Sequence, residues 1–366
     1  MKIDVITLHR VYNYGSALQA YATQKFLEKK GFEVQIIDYI TPQRTKKRIF
    51  LTPAADESKF GVKLFLYRIA KISSLVLKEW TFGKFVKHNL NLTKKYISVD
   101  DLEKDIPKAD IYVTGSDQTW NSKYNEGVDR GFFLDFLPEN SKKIAFVSSF
   151  GKEYLDENEK EKTREYLSKY NLISVREDQA AKIIENLGFN RPTQLIDPTL
   201  LLTKKEWLTL ASKRLIKERY LILMLLYNED NHATEYARKI ADDRGLKLVK
   251  ISWEMKKPKL VDILMTHRQP SDFLSLFYYA DYVVTNSFHG LAFSINLEKQ
   301  FIIVPRNEFN SRIESLLRLV GLEDRLISSE EMLFKYADRI DYKKINHVLN
   351  CERKKADKFI NEICEI

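Results

Sequence analysis

Cysteine is nearly missing from this chain of 366 residues: Cys351 and Cys364 are the only two, and both fall in the last sixteen positions. That excludes a disulfide framework, and with no paired Cys/His spacing it leaves no zinc signature and points to a reducing compartment. No uncharged apolar run is long enough to span a bilayer. The opening Met1 to Ile6 reads as a strand and lacks the charged, apolar and small-residue zones of a secretory leader, so a cytoplasmic location is expected. There is no G-x-G-x-x-G stretch, which leaves dinucleotide binding without support. Solenoid repeats and low-complexity tracts are also lacking. No nucleic-acid-binding motif occurs and the basic residues are mostly dispersed, so nucleic acid is the weakest partner class despite a net charge of +9.

What is present is the balance of a folded protein, with 44% hydrophobic and 30% charged residues. Single cores stop growing near roughly 250–300 residues, so two domains are expected. The net positive charge favours anionic partners such as phosphorylated metabolites or anionic lipid headgroups. From Ile3 the pattern runs apolar strand, polar turn, helix Ala17 to Lys30 stopped at Gly31, and strand Val34 to Tyr39. Further apolar runs at 111–114, 143–148 and 172–175 each end in small or polar residues. The alternation restarts at Tyr220 and continues through strands near 246–251, 282–285 and 301–304. The expected fold is therefore α/β, two Rossmann-like domains facing a cleft, as in GT-B-like glycosyltransferase architecture. The expected boundaries are 1–204, carrying a basic helical insertion at about 42–95, and 205–366 with C-terminal helices.

Ligands of open α/β sheets bind beyond the carboxyl ends of strands. Three segments fit that place. Asn13-Tyr14-Gly15-Ser16-Ala17-Leu18-Gln19 follows the first strand, where Gly15 permits a tight turn and Ser16 can cap the helix; taken alone, this segment is better explained as a plain strand-to-helix turn. Gly115-Ser116-Asp117-Gln118-Thr119-Trp120 can hold a sugar by hydrogen bonds and stacking, or can be an Asp-led turn with a core tryptophan. Asn286-Ser287-Phe288-His289-Gly290 joins a strand to a helix whose first amides suit a phosphate or carboxylate, with His289 able to donate or accept a proton near neutrality. Arg176 follows another strand end and can grip an anion bidentately, or pair with Glu177 or Asp178. Arg312 opens a later helix, and a surface helix start is its simplest explanation.

Taken in order, N-Y-G-S-A-L-Q-A-Y, T-G-S-D-Q-T-W-N, S-V-R-E, I-D-P-T-L, A-D-Y-V-V-T-N-S-F-H-G and N-S-R-I-E-S-L-L resemble the polysaccharide pyruvyltransferase family. The resemblance implies transfer of a pyruvyl group from phosphoenolpyruvate onto two hydroxyls of a sugar, forming a cyclic ketal and releasing phosphate. Phosphoenolpyruvate is then a co-substrate, with no separate cofactor and no metal, and the acceptor is a polyprenyl-linked or growing surface glycan. On that basis His289, Arg176 and Asp117 are the candidate catalytic residues. Ser287, Phe288, Gly290 and Arg312 are candidates for the donor. Asn13, Tyr14, Gly15, Gln19, Ser116, Gln118 and Trp120 are candidates for the acceptor. A nucleotide-sugar glycosyltransferase, or a glycan-binding relative without turnover, is the competing expectation on the same architecture.

From Lys59 to Lys95 nine Lys or Arg stand against one acid, Glu79. Lys63, Lys71 and Lys78 share one helical face and Phe65, Ile69, Ile72 and Val76 another, a pattern that fits either peripheral contact with the anionic inner face of the plasma membrane or ordinary packing on the first domain.

Overall fold

The structure is a computed structural model that describes residues 1–42, 76–226, 232–253, 256–307 and 310–365. The contacts divide the chain into two compact units, Met1–Phe150 with Leu155–Ile173, and Gly151–Tyr154 with Ser174–Glu365. Most of the basic insertion, including Lys63, Phe65, Ile69, Lys71 and Ile72, lies outside the described residues. At its described end Val76 is exposed and Lys78 half-buried. No described helix is long and apolar enough to cross a membrane.

The first unit carries β1 (Lys2–Ile6), α1 (Tyr14–Lys29), β2 (Glu33–Tyr39), α2 (Lys84–Asn89), β3 (Leu92–Tyr96), α3 (Val99–Lys104), β4 (Ile111–Thr114), α4 (Ser122–Asn125), β5 (Lys143–Ser148) and α5 (Glu157–Leu167). A π-helical turn, Glu79–Gly83, leads into α2. The first sheet has the order β3-β2-β1-β4-β5-β6-β7 and ends with β6 (Leu172–Val175) and β7 (Thr193–Gln194). β1 pairs in parallel with β2 through Ile3↔Val34 and with β4 through Ile3↔Ile111. β4 is buried along its whole length, which is why Ile-Tyr-Val-Thr reads as one apolar run rather than an alternation.

The division between units falls inside β6, earlier than the 204/205 boundary expected from sequence. Ser174 and Val175 pair with Thr193 and Gln194, so the end of β6 is bound to the chain that follows it. The second unit continues with α6 (Asp178–Asn186), α7 (Pro198–Leu201), α8 (Lys204–Leu210), β8 (Tyr220–Met224), α9 (Ala233–Asp243), β9 (Lys247–Ser252), β10 (Ile263–Thr266), α10 (Pro270–Tyr279), β11 (Tyr282–Thr285), α11 (Phe288–Asn296), β12 (Gln300–Ile303), α12 (Ser311–Val320) and α13 (Tyr342–Glu365). Its sheet is ordered β10-β9-β8-β11-β12, again with parallel pairings. Leu221, Leu223, Leu248, Val284 and Ile302 from these strands share one core with Ala237 and Ile240 of α9. The expectation of two parallel-sheet α/β domains therefore holds.

Candidate active site

The second unit's site begins where β11 stops. Thr285 Oγ1 donates to the Met224 carbonyl at 2.6 Å and accepts from the Ser287 amide at 3.0 Å, which turns the chain sharply after the strand. Asn286 grips Leu226 at both backbone groups, accepting from its amide at 2.7 Å and donating to its carbonyl at 3.4 Å. Ser287 then caps α11 by accepting from the Gly290 amide at 3.3 Å, so the helix starts at Phe288. Gly290 has no room for a side chain: a Cβ there would sit 2.5 Å from Thr285 Oγ1 and 3.0 Å from its Cγ2. Gly290→Ala is expected to destabilise the second unit by about 1–3 kcal/mol, the usual range for overpacking. Denaturant unfolding checks this, and adding Thr285→Ala should recover part of the loss.

Around this turn Arg176, Asp197 and His289 converge. Arg176 donates through Nη1 to Asp197 Oδ2 at 2.9 Å and through Nε to Glu177 Oε2 at 3.3 Å. His289 Nε2 lies 3.8 Å from the same Asp197 oxygen. The other Asp197 oxygen accepts from the Thr199 amide at 2.9 Å and from its hydroxyl at 2.7 Å, which caps α7 ahead of Pro198. Burial pushes the Asp197 carboxyl up, but His289, Arg176 and the Thr199 amide outweigh it and hold it below the usual carboxylate range. Arg176 thus has the ion-pair role that was its simpler reading, with Asp197 rather than Asp178 as the second partner. It also meets the His289 turn within a single unit, not from the opposite domain.

Asp197 is the residue the sequence reading missed as a site candidate, although it lies in one of the motifs quoted. The signal was an Asp-Pro-Thr after a short strand, where a carboxylate can cap a helix with one oxygen and offer the other.

Arg176, Asp197, Phe288 and Arg312 line a pocket of about 310 Å³, joined by Arg318 and Lys355. Ser287, His289 and Gly290 are not part of its wall, and His289 Nε2 lies 3.8 Å from the wall residue Asp197. The guanidinium carbons of Arg176 and Arg312 lie 4.7 and 5.7 Å from the centre of the Phe288 ring, so Arg312 is more than a surface helix start. Each acid on the wall has a basic neighbour: Asp197 and Glu177 with Arg176, Asp178 with Lys182, Glu352 with Lys355.

In the first unit the polar loops are mostly satisfied among themselves. Asn13 Oδ1, not Ser16, caps α1, accepting from the Gly15 amide at 2.8 Å. Ser16 instead donates to Asp117 Oδ2 at 2.5 Å. Asp117 sits at φ 70°, its other oxygen accepting from the Gln118 amide at 2.9 Å. Gln19 is buried and donates to Thr7 Oγ1 at 2.9 Å, and Gln118 accepts from Asn121 at 2.8 Å. Ser116, Gly15 and Tyr14 are buried, with the Tyr14 ring 5.2 Å from Phe82. Trp120 is a correction. Its ring stacks on Phe133 at 5.3 Å, its Nε1 donates to the Phe132 carbonyl at 3.3 Å, and only 3% of it is exposed. The indole is a core residue because the left-handed turn at Asp117 directs the chain back into the aromatic cluster of Phe133, Phe150 and Tyr170.

Two parallel-sheet α/β units, each with polar groups at its strand ends, are the GT-B-like fold. The fold is similar to that of the UDP-GlcNAc 2-epimerase from Methanocaldococcus jannaschii in complex with UDP-GlcNAc and UDP, at 14% identity over 100% of each chain and a TM-score of 0.51. A second structure of UDP-GlcNAc 2-epimerase from that organism gives 14% identity, 94% of this chain and 93% of the other, and a TM-score of 0.50. The E. coli heptosyltransferase WaaC, with ADP-2-deoxy-2-fluoro heptose, is a weaker likeness at 12% identity, 83% and 88% coverage and a TM-score of 0.38. No curated protein matches the chain significantly. By its match over residues 13–308, the chain belongs to the polysaccharide pyruvyl transferase family.

Proposed function

We propose that this transferase moves a pyruvyl group from phosphoenolpyruvate onto two hydroxyls of a sugar in a lipid-linked or growing surface polysaccharide, at the cytoplasmic face of the membrane. The observation that carries this reading is the meeting of Arg176, Asp197 and His289 at the edge of a pocket whose wall also bears Arg312, Arg318 and Lys355. Phosphoenolpyruvate carries a carboxylate and a phosphate, and both need cationic donors held in place. Arg176, fixed by Asp197 and Glu177, and Arg312, packed against Phe288, supply two guanidinium groups at adjacent points of one wall. The Phe288 ring between them offers the methylene end of the donor an apolar surface.

The reaction needs one proton placed on the methylene carbon, which turns C2 into an electrophile; His289, which stands behind Asp197 and outside the pocket wall, is assigned that proton on the condition that its ring turns past Asp197 to meet the donor. The first sugar hydroxyl attacks C2, phosphate leaves, and the second hydroxyl closes the ketal. One hydroxyl proton replaces that given up by His289, and the other leaves with phosphate or to solvent. Asp197 keeps the His289 ring and the Arg176 fork in register. Asp117, held by Ser16 and the Gln118 amide, is assigned to orient an acceptor hydroxyl.

Mass spectrometry of polyprenyl-linked sugar acceptors incubated with phosphoenolpyruvate tests the reading, together with assay of released phosphate. A gain of one carboxyethylidene group with stoichiometric phosphate is expected. Nucleotide release from a sugar donor, with no use of phosphoenolpyruvate, would replace it with a glycosyl transfer.

A further inference from the structure

The loops first assigned to the acceptor are closed upon themselves, yet an open polar cluster lies at neighbouring strand ends of the same unit. After β1 the chain runs Thr7, Leu8, His9, Arg10, Val11, Tyr12, and Asp38 stands near the end of β2. The Asp38 carboxylate takes a two-pronged grip from Arg10, Nε to Oδ1 at 2.5 Å and Nη2 to Oδ2 at 2.6 Å. His9 Nε2 lies 3.0 Å from the same Oδ1, and its Nδ1 lies 3.0 Å from the Thr7 carbonyl. The Asp38 side chain is 5% exposed and that of His9 is fully buried, but the Arg10 side chain keeps 26% exposure. Among the described residues the Arg10 Nη1 group makes no hydrogen bond. A guanidinium already locked on one edge loses little further freedom when its open edge binds a ligand.

Two other observations fall at this place. Thr41, two residues beyond β2 and 1% exposed, has a hydroxyl with no partner among the described residues, an uncommon state for a buried polar atom. It lines, with Thr7, His9 and Arg10, a small cavity of about 10 Å³, room for a single oxygen atom. On the other side, Tyr12 donates its hydroxyl to Glu79 Oε2 at 2.9 Å. Glu79 opens the π-helical turn, a distortion frequent at functional sites, and the next residue, Trp80, is 59% exposed.

We propose that Arg10, Thr41, Tyr12 and Glu79 form a saccharide-binding site that holds the acceptor sugar. A hydroxyl oxygen enters the socket beside Thr41, Arg10 Nη1 donates to an adjacent sugar oxygen, and Glu79 with Tyr12 takes a neighbouring hydroxyl. The ligand is taken as polyhydroxyl because Asp38 already holds one edge of the Arg10 guanidinium, and the Thr41 and Tyr12 hydroxyls beside it are neutral groups that pair with hydroxyls. The proposal rests on the pyruvyl-transfer reading for the sugar's role as acceptor. Its test does not.

Saturation-transfer NMR with a panel of methyl hexopyranosides, in the absence of phosphoenolpyruvate, reads the site directly on the full-length wild type, Thr41→Val, Glu79→Gln and His289→Ala. At least one hexoside is expected to bind the wild type and His289→Ala alike, and to bind Thr41→Val and Glu79→Gln about tenfold more weakly, the scale of one lost hydrogen bond. In turnover, the same two variants should raise the acceptor KM and leave the phosphoenolpyruvate KM within twofold. If hexoside binding is lost in the variants but the wild type never consumes phosphoenolpyruvate, the sugar site stands and pyruvyl transfer falls. If no hexoside binds, or if the variants lower thermal stability and leave sugar binding unchanged, the cluster is only a staple between β1 and β2 and the proposal is wrong.

Discussion

His289→Ala is expected to lower phosphoenolpyruvate-dependent phosphate release by about 10²–10⁴-fold, the range typical of losing a positioned proton donor. The fold should persist, because the turn that carries His289 is built by other residues. Thr285, Asn286 and Ser287 fix the backbone through bonds to Met224, Leu226 and Gly290, and none of these uses the imidazole. The ring itself lies edge-on to Phe288 at 5.2 Å and close to Asp197. Removing it therefore takes away a proton and a contact, not a cap or a strand pairing. His289→Gln retains a hydrogen-bonding group of similar reach without a titrating proton, and should be nearly as inactive. If either variant turns over at the wild-type rate while its unfolding curve is unchanged, His289 does not supply the proton. Calorimetric titration with phosphoenolpyruvate separates the step lost: binding should survive in both, since Arg176 and Arg312 remain.

Much of the fold was legible because strands that are buried on both faces leave continuous apolar runs. Ile111 to Thr114 and Tyr282 to Thr285 could be placed almost to the residue. Short elements paired at an edge were not: β7 is two residues long, and β10 shows no buried alternation. The Asn286 to Gly290 turn was legible as a place but not as a structure, since nothing in the sequence says that Asn286 serves the backbone of Leu226. Trp120 shows the opposite limit. A polar loop at a strand end suggests an exposed ring, and only the positive φ at Asp117 reveals that the chain doubles back into the core. Asp197 escaped for a related reason: its chemistry depends on two residues far away in sequence, Arg176 and His289, that only the folded unit brings to one carboxylate oxygen.

Asp197 also carries the largest expected effect on stability. Asp197→Ala leaves the Arg176 guanidinium, 2% exposed, without its closer partner, and it removes the cap on α7. Breaking a buried pair by deleting one member costs about 3–5 kcal/mol. Asp197→Asn is the discriminating variant. Its amide oxygen can still accept from Thr199 and keep the cap, so what it loses is chiefly the charge facing Arg176 and His289. Its stability at neutral pH should lie between the alanine variant and the wild type. The pH dependence follows from the direction of the shift. A carboxyl held below its ordinary value in the folded chain contributes stability that is fully present above the unfolded value of about 3.9 and is lost as pH falls through the lowered folded value. Wild type and Asp197→Asn should therefore differ most near neutrality and converge as the medium is made strongly acidic. Denaturant unfolding at a series of pH values measures this. A constant gap down to the acid limit would mean that the carboxylate acts only as a cap and that its charge contributes nothing to Arg176 or His289. In that case Arg176 would owe its position to its other neighbours, Glu177 and Phe288 among them, and the asparagine variant should keep both its phosphoenolpyruvate KM and its kcat.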